Sequence, residues 1–225
     1  EIHKSDMDEK LVVFFFFLLL QPQIYHGRNL DWNIPPAVRD MIVDVHYQRS
    51  GKTVFIGTAV VGFVGVVNGM IPGVATVSID ARDKGGKILG NILQMLLHKS
   101  ITPCQNMRRV LQDENSTSFA AVVAGLSSHQ QVDQNYFIVG GTRSGEGAVI
   151  SRGRAKADDV WYLGKNATSS HDGWYRLQTN YDHWNPTPKA DDRRTPGYVV
   201  IIKFYPFILN KLLLLKYCLL HTNIY

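Results

Sequence analysis

Residues 41–60 read MIVDVHYQRSGKTVFIGTAV, and this stretch decides how the rest of the chain is interpreted. Its two halves, Met41–Gln48 and Thr53–Val60, are rich in the β-branched and apolar residues that favour strands. The linker between them, Arg49–Lys52 (RSGK), is short, polar and contains glycine, which is typical of a tight turn. The stretch therefore predicts two antiparallel strands joined as a hairpin.

Three helices are predicted after this hairpin. Ile88–His98 carries apolar residues at helical spacing along one face. Pro103–Gln112 begins with a residue that suits the first turn of a helix. A third helix is expected to be capped by Ser116 or Thr117 and to end near Gly125.

Further strands flank the helices on both sides. The sequence predicts a strand before them at Val74–Ile79, and strands after them at Tyr136–Val139, Gly147–Ser151, Val160–Leu163 and Trp174–Thr179. Strands, then helices, then strands is the order of an α+β protein. We expect the helices to pack on an antiparallel sheet whose neighbouring strands are linked by hairpins.

Both ends of the chain are unusually apolar. Leu11–Leu20 reads LVVFFFFLLL, which is too short to span a bilayer as a helix of about 20 residues and predicts a buried strand. It has no basic flank and no small-residue cleavage site, so no usable signal peptide is expected. Val199–Leu220 is long enough to be a membrane-span candidate, but three lysines would make its insertion costly.

These features predict an anomalous segment over 1–20, a central domain over 21–198 and an anomalous tail over 199–225. The residues enriched at both ends are those that AT-rich codons specify. Read-through of non-coding DNA, in an incomplete or mis-spliced product, is therefore one interpretation of the two ends. Genuine apolar segments that associate with a membrane surface are another.

Composition excludes several classes of protein. The 225 residues have a formal net charge of +5 without a long run of Lys or Arg, so no nucleic-acid partner is expected. Cys104 and Cys218 are the two cysteines; they cannot form a disulfide framework and have no metal-ligand spacing, so neither a metal nor a cofactor is expected.

The glycine-rich residues 140–147 match no phosphate-binding loop and predict a hairpin turn. Sequons at Asn115 and Asn166 predict glycosylation in a secretory compartment.

Three polar clusters could carry chemistry. HGRNLD at 26–31 includes Arg28, whose guanidinium can hold an anionic intermediate, and Asp31, which could orient a protonated amine. QTNYDHW at 178–184 includes Asn180, whose amide can donate to an oxyanion. DDRRTP at 191–196 alternates charges that can form an ion-pair network. Taken alone, HGRNLD is better explained as an ordinary polar turn, and the other two clusters also fit a strand end or an exposed loop.

In order and spacing, these clusters resemble the β-subunit of the acid ceramidase and N-acylethanolamine-hydrolysing acid amidase family. The similarity runs from about Ile24 to Pro196 and includes HGRNLD, VSIDARDKGG, NYFIVGGTRSGEGAVISR, QTNYDHW and DDRRTP. The family belongs to the N-terminal-nucleophile hydrolases, so the resemblance implies an αββα sandwich, here incomplete at both ends. In that family self-cleavage exposes a cysteine whose thiol attacks the amide carbonyl and whose α-amine acts as the base.

The resemblance implies catalytic roles for Arg28, Asp31, Asn180 and Arg193. The sequence departs from the family at two other positions. The family's cysteine falls near Val12, within a stretch that has no Cys, Ser or Thr.

The family's glutamate falls on Ala81, so that carboxylate is missing. Asp80 beside it is expected to point to the other face of its strand and not to replace it.

The function implied is hydrolysis of N-acyl lipids to fatty acid and amine in a lysosomal or secretory compartment, with a preceding α-subunit as partner. Because the nucleophile is missing, we expect this chain to be inactive. A non-catalytic lipid-binding relative, or another acylase of the superfamily of the bile-salt or penicillin type, are the alternatives. DARDKGG and NYDHWNPTPK favour an acylethanolamine substrate and ENSTSF favours ceramide, so the choice stays open.

Overall fold

The computed structural model describes residues 13–18, 21–29, 35–82, 88–98, 100–164, 173–201 and 203. The described strands are β1 Val13–Leu18, β2 Gln21–Arg28, β3 Ile42–Arg49, β4 Lys52–Val60, β5 Asn68–Ile71, β6 Ala75–Ala81, β7 Asn135–Gly140, β8 Gly147–Arg152, β9 Ala157–Tyr162 and β10 Leu177–Gln178. The described helices are α1 Pro36–Arg39, α2 Ile88–His98, α3 Pro103–Leu111 and α4 Phe119–Ser128, and residues 194–201 are also helical.

The hairpin predicted from residues 41–60 is confirmed. Strands β3 and β4 pair antiparallel from Ile42↔Val60 to Arg49↔Lys52. Ser50 and Gly51 have φ angles of 51° and 77°, and positive φ at both central residues matches the twist of the flanking strands. The rings of Tyr47 and Phe55 stack across the pair with centroids 4.0 Å apart.

Seven antiparallel strands form the main sheet in the order β3-β4-β5-β6-β7-β8-β9. Helices α3 and α4, which follow β6 in the chain, pack on one face of this sheet. Their apolar sides meet the alternate residues of the strands in one core cluster. Its fully buried members include Phe55, Met107, Leu126, Phe137 and Ile150.

A smaller sheet, in the order β10-β1-β2, lies on the opposite face of the main sheet. Ile24 of β2 packs on a second cluster formed by Tyr136, Ile138 and Val149 of the main sheet. On the outer side, Leu177 of β10 packs with Ile201 of the last helix in a third cluster. Helix, sheet, sheet and helix thus follow one another, which confirms the predicted α+β class and αββα order.

Several element predictions need correction. The third helix is capped by Ser118, whose hydroxyl accepts from the Ala121 amide, and not by Ser116 or Thr117. The hydroxyl of Ser116 instead donates to the carbonyl of Val110 at the end of α3. Trp174–Thr179 is shortened to the two-residue strand β10, and both β5 and α1 were missed.

The apolar ends are only partly described. Strand β1 confirms a strand within Leu11–Leu20, while Val12 and most of Val199–Leu220 lie outside the described residues. Ile201 is fully buried in the third cluster, yet the division of the chain at residues 20 and 198 stays a prediction. Within the described ranges, every helix is too short or too polar to cross a membrane.

Candidate active site

Arg28 ends strand β2 and faces the main sheet. Its Nη2 donates to the carbonyl of Ile79 at 2.8 Å. Its Nε is buried and makes no hydrogen bond with any described residue. Burial lowers the pKa of Arg28 and the nearby Asp80 opposes this effect, but a guanidinium stays charged throughout the physiological range. Arg28 is therefore a charged residue with one buried donor that lacks an acceptor among the described residues.

His26, two residues earlier on the same face, joins the small sheet to the main one. Its Nδ1 lies 2.9 Å from the hydroxyl of Thr76 and its Nε2 lies 2.8 Å from the hydroxyl of Ser78. Burial, and secondarily the charge of Arg28, lower the pKa of His26 to about 4. The ring is therefore neutral at neutral and mildly acidic pH.

Asp80, Asn180 and Arg193 form a continuous chain of hydrogen bonds. The Nδ2 of Asn180 donates to Oδ1 of Asp80 at 2.9 Å and to the carbonyl of Ala81 at 3.2 Å. Its Oδ1 accepts from Nη1 of Arg193 at 2.5 Å. A cation on one side and a carboxylate on the other determine which way the amide points. Both amide hydrogens of Asn180 are thus engaged within the protein.

A buried ion pair holds the loop that carries Asn180. Asp182 accepts from Nε of Arg82 and from the hydroxyl of Tyr136, each at 2.7 Å. Burial lowers the pKa of Arg82, but its hydrogen bonds to Asp182 and to Asp158 raise it by more. Because Tyr136 is the cross-strand partner of Asp80, Asp182 connects the loop directly to the strands beneath the site.

The start of β1 lies between these groups. Val13 is the cross-strand partner of Arg28 on one side and of Gln178 on the other. Directly opposed residues in an antiparallel pair have Cα atoms about 4.5–5.5 Å apart. The first described residue of β1 therefore lies close to Arg28 and to the loop that leads to Asn180.

A pocket of about 380 Å³ opens beside Arg28 between β2 and strands β3–β6. Its lining includes the polar side chains of Asp44, Thr58 and Asn68 as well as His26 and Arg28. The pocket lies on the inner face of the main sheet. The small sheet covers only part of that face. Arg28 forms one wall of the pocket and can contact a molecule bound in it.

The predicted site residues divide into two groups. Arg28, Asn180 and Arg193 are brought together by β2 and the segment after β10. Asp31 and Val12 lie outside the described residues, as does Asn166. Asn115 is exposed in the turn after α3, and its glycosylation stays a prediction.

Asp80 is the site residue that sequence reasoning missed. It does point away from Ala81, as strand alternation required. On that face its carboxylate accepts a hydrogen bond from Asn180 and interacts with the charge of Arg28. The sequence did contain a signal for Asp80. Thr76, Ser78 and Asp80 are polar residues at alternate positions of β6, and His26 and Arg28 are polar residues at alternate positions of β2.

Cys104 is no substitute for the family's nucleophile. It lies in the first turn of α3, half-buried at the edge of the main core. Burial raises the pKa of its thiol, and the opposing effect of Arg28 is smaller. Since the thiolate is the reactive form, this cysteine is mainly an unreactive thiol at neutral and acidic pH.

Comparison with known proteins agrees with this geometry. The chain is 42% identical over 174 residues to the N-acylethanolamine-hydrolyzing acid amidase of Cavia porcellus, covering 77% of this chain and 47% of that protein. It is 35% identical over 188 residues to the acid ceramidase of Mus musculus, covering 77% and 46%. The chain belongs to this family.

A solved structure of the family has the same fold. The Caenorhabditis elegans orthologue of N-acylethanolamine-hydrolyzing acid amidase superposes with a TM-score of 0.67 at 28% identity, covering 82% of this chain and 75% of that one. The fold is thus that of an N-terminal-nucleophile hydrolase. No protein-family model matches the chain. The chain spans about half the length of the curated relatives that it matches.

Proposed function

We propose that this chain binds the amide group of an N-acyl lipid at Arg28, in the site where its relatives hydrolyse such amides. The observation that carries the proposal is the Nε of Arg28, a buried charged donor that pairs with no described residue. An unpaired buried donor is costly unless a ligand satisfies it. The carbonyl oxygen of an amide, or the oxyanion formed when it is attacked, would supply the missing acceptor.

The other site residues have distinct roles in this proposal. Arg193 and Asp80 orient the amide of Asn180 from its two ends. Asn180 can donate to an oxyanion only by giving up its bond to Asp80 or to Ala81. We therefore assign binding of the substrate carbonyl to Arg28, and assign to Asn180 a bond that forms as negative charge develops on the oxygen.

Turnover requires a nucleophile that the sequence does not supply near Val12. Val13, the first described residue of β1, lies opposite Arg28, whereas Val12 lies outside the described residues. We propose that the chain with Val12 binds its lipid without cleaving it, as a relative that keeps the binding residues and has lost the reaction. Asp31 is included in the proposed site on resemblance alone.

The relatives' names suggest the ligand and its setting. N-acylethanolamines and ceramide share a secondary amide with a hydroxyl-bearing amine, and either fits the proposal. We propose an acidic, lysosomal or secretory setting, which the names of the relatives suggest. We also propose that the chain associates with an α-subunit and contacts a membrane surface.

Binding and hydrolysis can be measured on the same protein. The purified chain would be mixed with N-lauroylethanolamine or a short-chain ceramide at pH about 5, a value within the range where neutral His26 is retained, and both complex and free fatty acid would be measured. We expect saturable binding and no fatty acid. In R28M the affinity should fall at least about tenfold, the effect of losing a charge-assisted hydrogen bond.

The matched control is R49M. Arg49 is an exposed arginine that pairs with Glu114 on the surface, where such pairs contribute little. Equal affinities in R28M, R49M and the unmodified chain would contradict the proposed site. Release of fatty acid by the unmodified chain would contradict the proposed loss of the reaction.

A further inference from the structure

Three side chains beside Arg28 form what we call the His26 clamp: His26 on β2, and Thr76 and Ser78 on β6. The two hydroxyls lie at alternate positions of one strand and therefore share a face. The ring bridges them, with Nδ1 2.9 Å from Thr76 and Nε2 2.8 Å from Ser78. The clamp is thus a direct polar link between the small sheet and the main sheet.

The bonds of Thr76 determine the tautomer of the ring. Its hydroxyl donates to the carbonyl of Gly140 at 3.2 Å, and a hydroxyl has one hydrogen to donate. Thr76 must therefore accept from His26, which places the ring proton on Nδ1. The unprotonated Nε2 then accepts from the hydroxyl of Ser78. In a protonated ring Nε2 could no longer accept, and the Ser78 hydroxyl would have to turn and accept from it instead.

The clamp lies immediately before Arg28 along the strand. His26 and Arg28 share a face of β2, and the carbonyl that Arg28 contacts belongs to Ile79, the residue after Ser78. His26 and Arg28, two inward-facing side chains of β2, are thus both held by hydrogen bonds to β6. A free arginine side chain loses rotamer entropy on binding a ligand, and this arrangement restrains it in advance.

We propose that His26 is a positioning residue, whose neutral ring holds β2 against Thr76 and Ser78 so that the Nε of Arg28 faces the bound carbonyl. The inference rests on the proposed function of Arg28 as the carbonyl donor. The low pKa of His26 supports it, because the neutral ring, in which Nε2 accepts from Ser78, persists at mildly acidic pH. His26 itself does not contact the ligand's reacting atoms in this proposal.

Two measurements on the full chain test the clamp, one without ligand and one with it. The rate at which phenylglyoxal modifies Arg28, read by peptide mass, reports how firmly the guanidinium is held. The dissociation constant for N-lauroylethanolamine reports whether that placement matters for binding. The variants are H26A, H26Q, whose amide keeps one donor and one acceptor, and H46Q, which replaces an exposed histidine on β3 of the main sheet.

We expect H26A to label faster at Arg28 and to bind roughly three- to tenfold more weakly, as expected for one or two lost hydrogen bonds. H26Q should recover part of both losses, and H46Q should match the unmodified chain. Nitrogen NMR should show Nδ1 protonated and Nε2 bare. Unchanged labelling and affinity in H26A, or a proton on Nε2, would overturn the proposal.

One outcome separates the clamp from the proposed function, and a second variant covers a failure of H26A to fold. If no variant binds the lipid but H26A still labels faster, the positioning of Arg28 stands and the lipid site fails. If H26A does not fold, S78A tests the same bond with a smaller change, and an unaltered labelling rate in S78A would overturn the clamp.

Discussion

At the scale of single residues, the polar pairs across the two sheets explain the site better than any one motif does. The motif HGRNLD predicted Arg28 as a site residue but indicated no role for His26, because its partners Thr76 and Ser78 lie far away in the sequence. Asp80 was set aside for the same reason. Strand alternation tells which face a residue takes, but it cannot tell which face a second sheet will cover.

Titration of His26 should make stability depend on pH. Its pKa is about 4 in the folded protein, and about 6.5 in an unfolded chain. Between these values the unfolded chain takes up a proton and the folded protein does not, so stability decreases as the pH falls from 6.5 to 4. This group alone can lower the free energy of unfolding by up to about 3 kcal/mol.

Thermal unfolding of the unmodified chain and of H26Q, recorded from pH 7 to pH 4, measures this contribution. Glutamine does not titrate, so the Tm of H26Q should fall less steeply across the same interval. Parallel curves for the two proteins would show that His26 takes up its proton equally readily in both states.

At the scale of elements, the sequence predicted most strands and helices because their own patterns are strong. The bounds of α2 were predicted correctly, and the turn of β3–β4 contains the residues it needs. Strand β5 was missed because Asn-Gly-Met-Ile has little strand character of its own and is held by neighbours on both sides. The cap of α4 was misplaced because Ser116 had a better acceptor at the end of α3.

The loop after β10 is held by a buried charge pair, and this can be tested. In D182N the guanidinium of Arg82 keeps Asp158 but loses its buried carboxylate partner. Removing one member of a buried pair costs about 3–5 kcal/mol, and we expect the lower end of that range. D158N is the control, because this carboxylate is 46% exposed and its loss should cost at most about 1 kcal/mol.

Urea unfolding of the two variants measures both free energies. Loosening of the loop should also reduce protection of the Asn180 backbone amide from hydrogen exchange in D182N and not in D158N. Equal losses of stability in the two variants would contradict a special role for Asp182.

At the scale of the whole molecule, the two sheets and their outer helices form the αββα order that the family resemblance implied. The last helical residues, 194–201, belong to that order, since Ile201 is fully buried against Tyr175 and Leu177. Sequence alone suggested a tail from Val199 onward, because a buried helix end and an exposed apolar tail have the same composition. For Ile201 the packing against β10 indicates a helix end, while the division of the chain at residue 198 stays a prediction.

Truncating one side chain of this helix tests its place in the fold. I201A should lower the free energy of unfolding by about 2–4 kcal/mol, as for other buried isoleucines. V200A, at an exposed position one residue earlier, should change it by less than about 0.5 kcal/mol. Denaturant titration of both variants provides the comparison, and equal stabilities would mean that the helix contributes no core.

The central claim is that Arg28 binds the carbonyl of an N-acyl lipid amide. The most direct test is the carbonyl signal of carbon-13-labelled N-lauroylethanolamine, recorded by NMR in complex with the unmodified chain and with R28M. A hydrogen bond from a guanidinium withdraws electrons from the carbonyl and should move its signal downfield. We predict this displacement in the unmodified chain and its loss in R28M. A bound carbonyl signal at the same position in both proteins would contradict the claim.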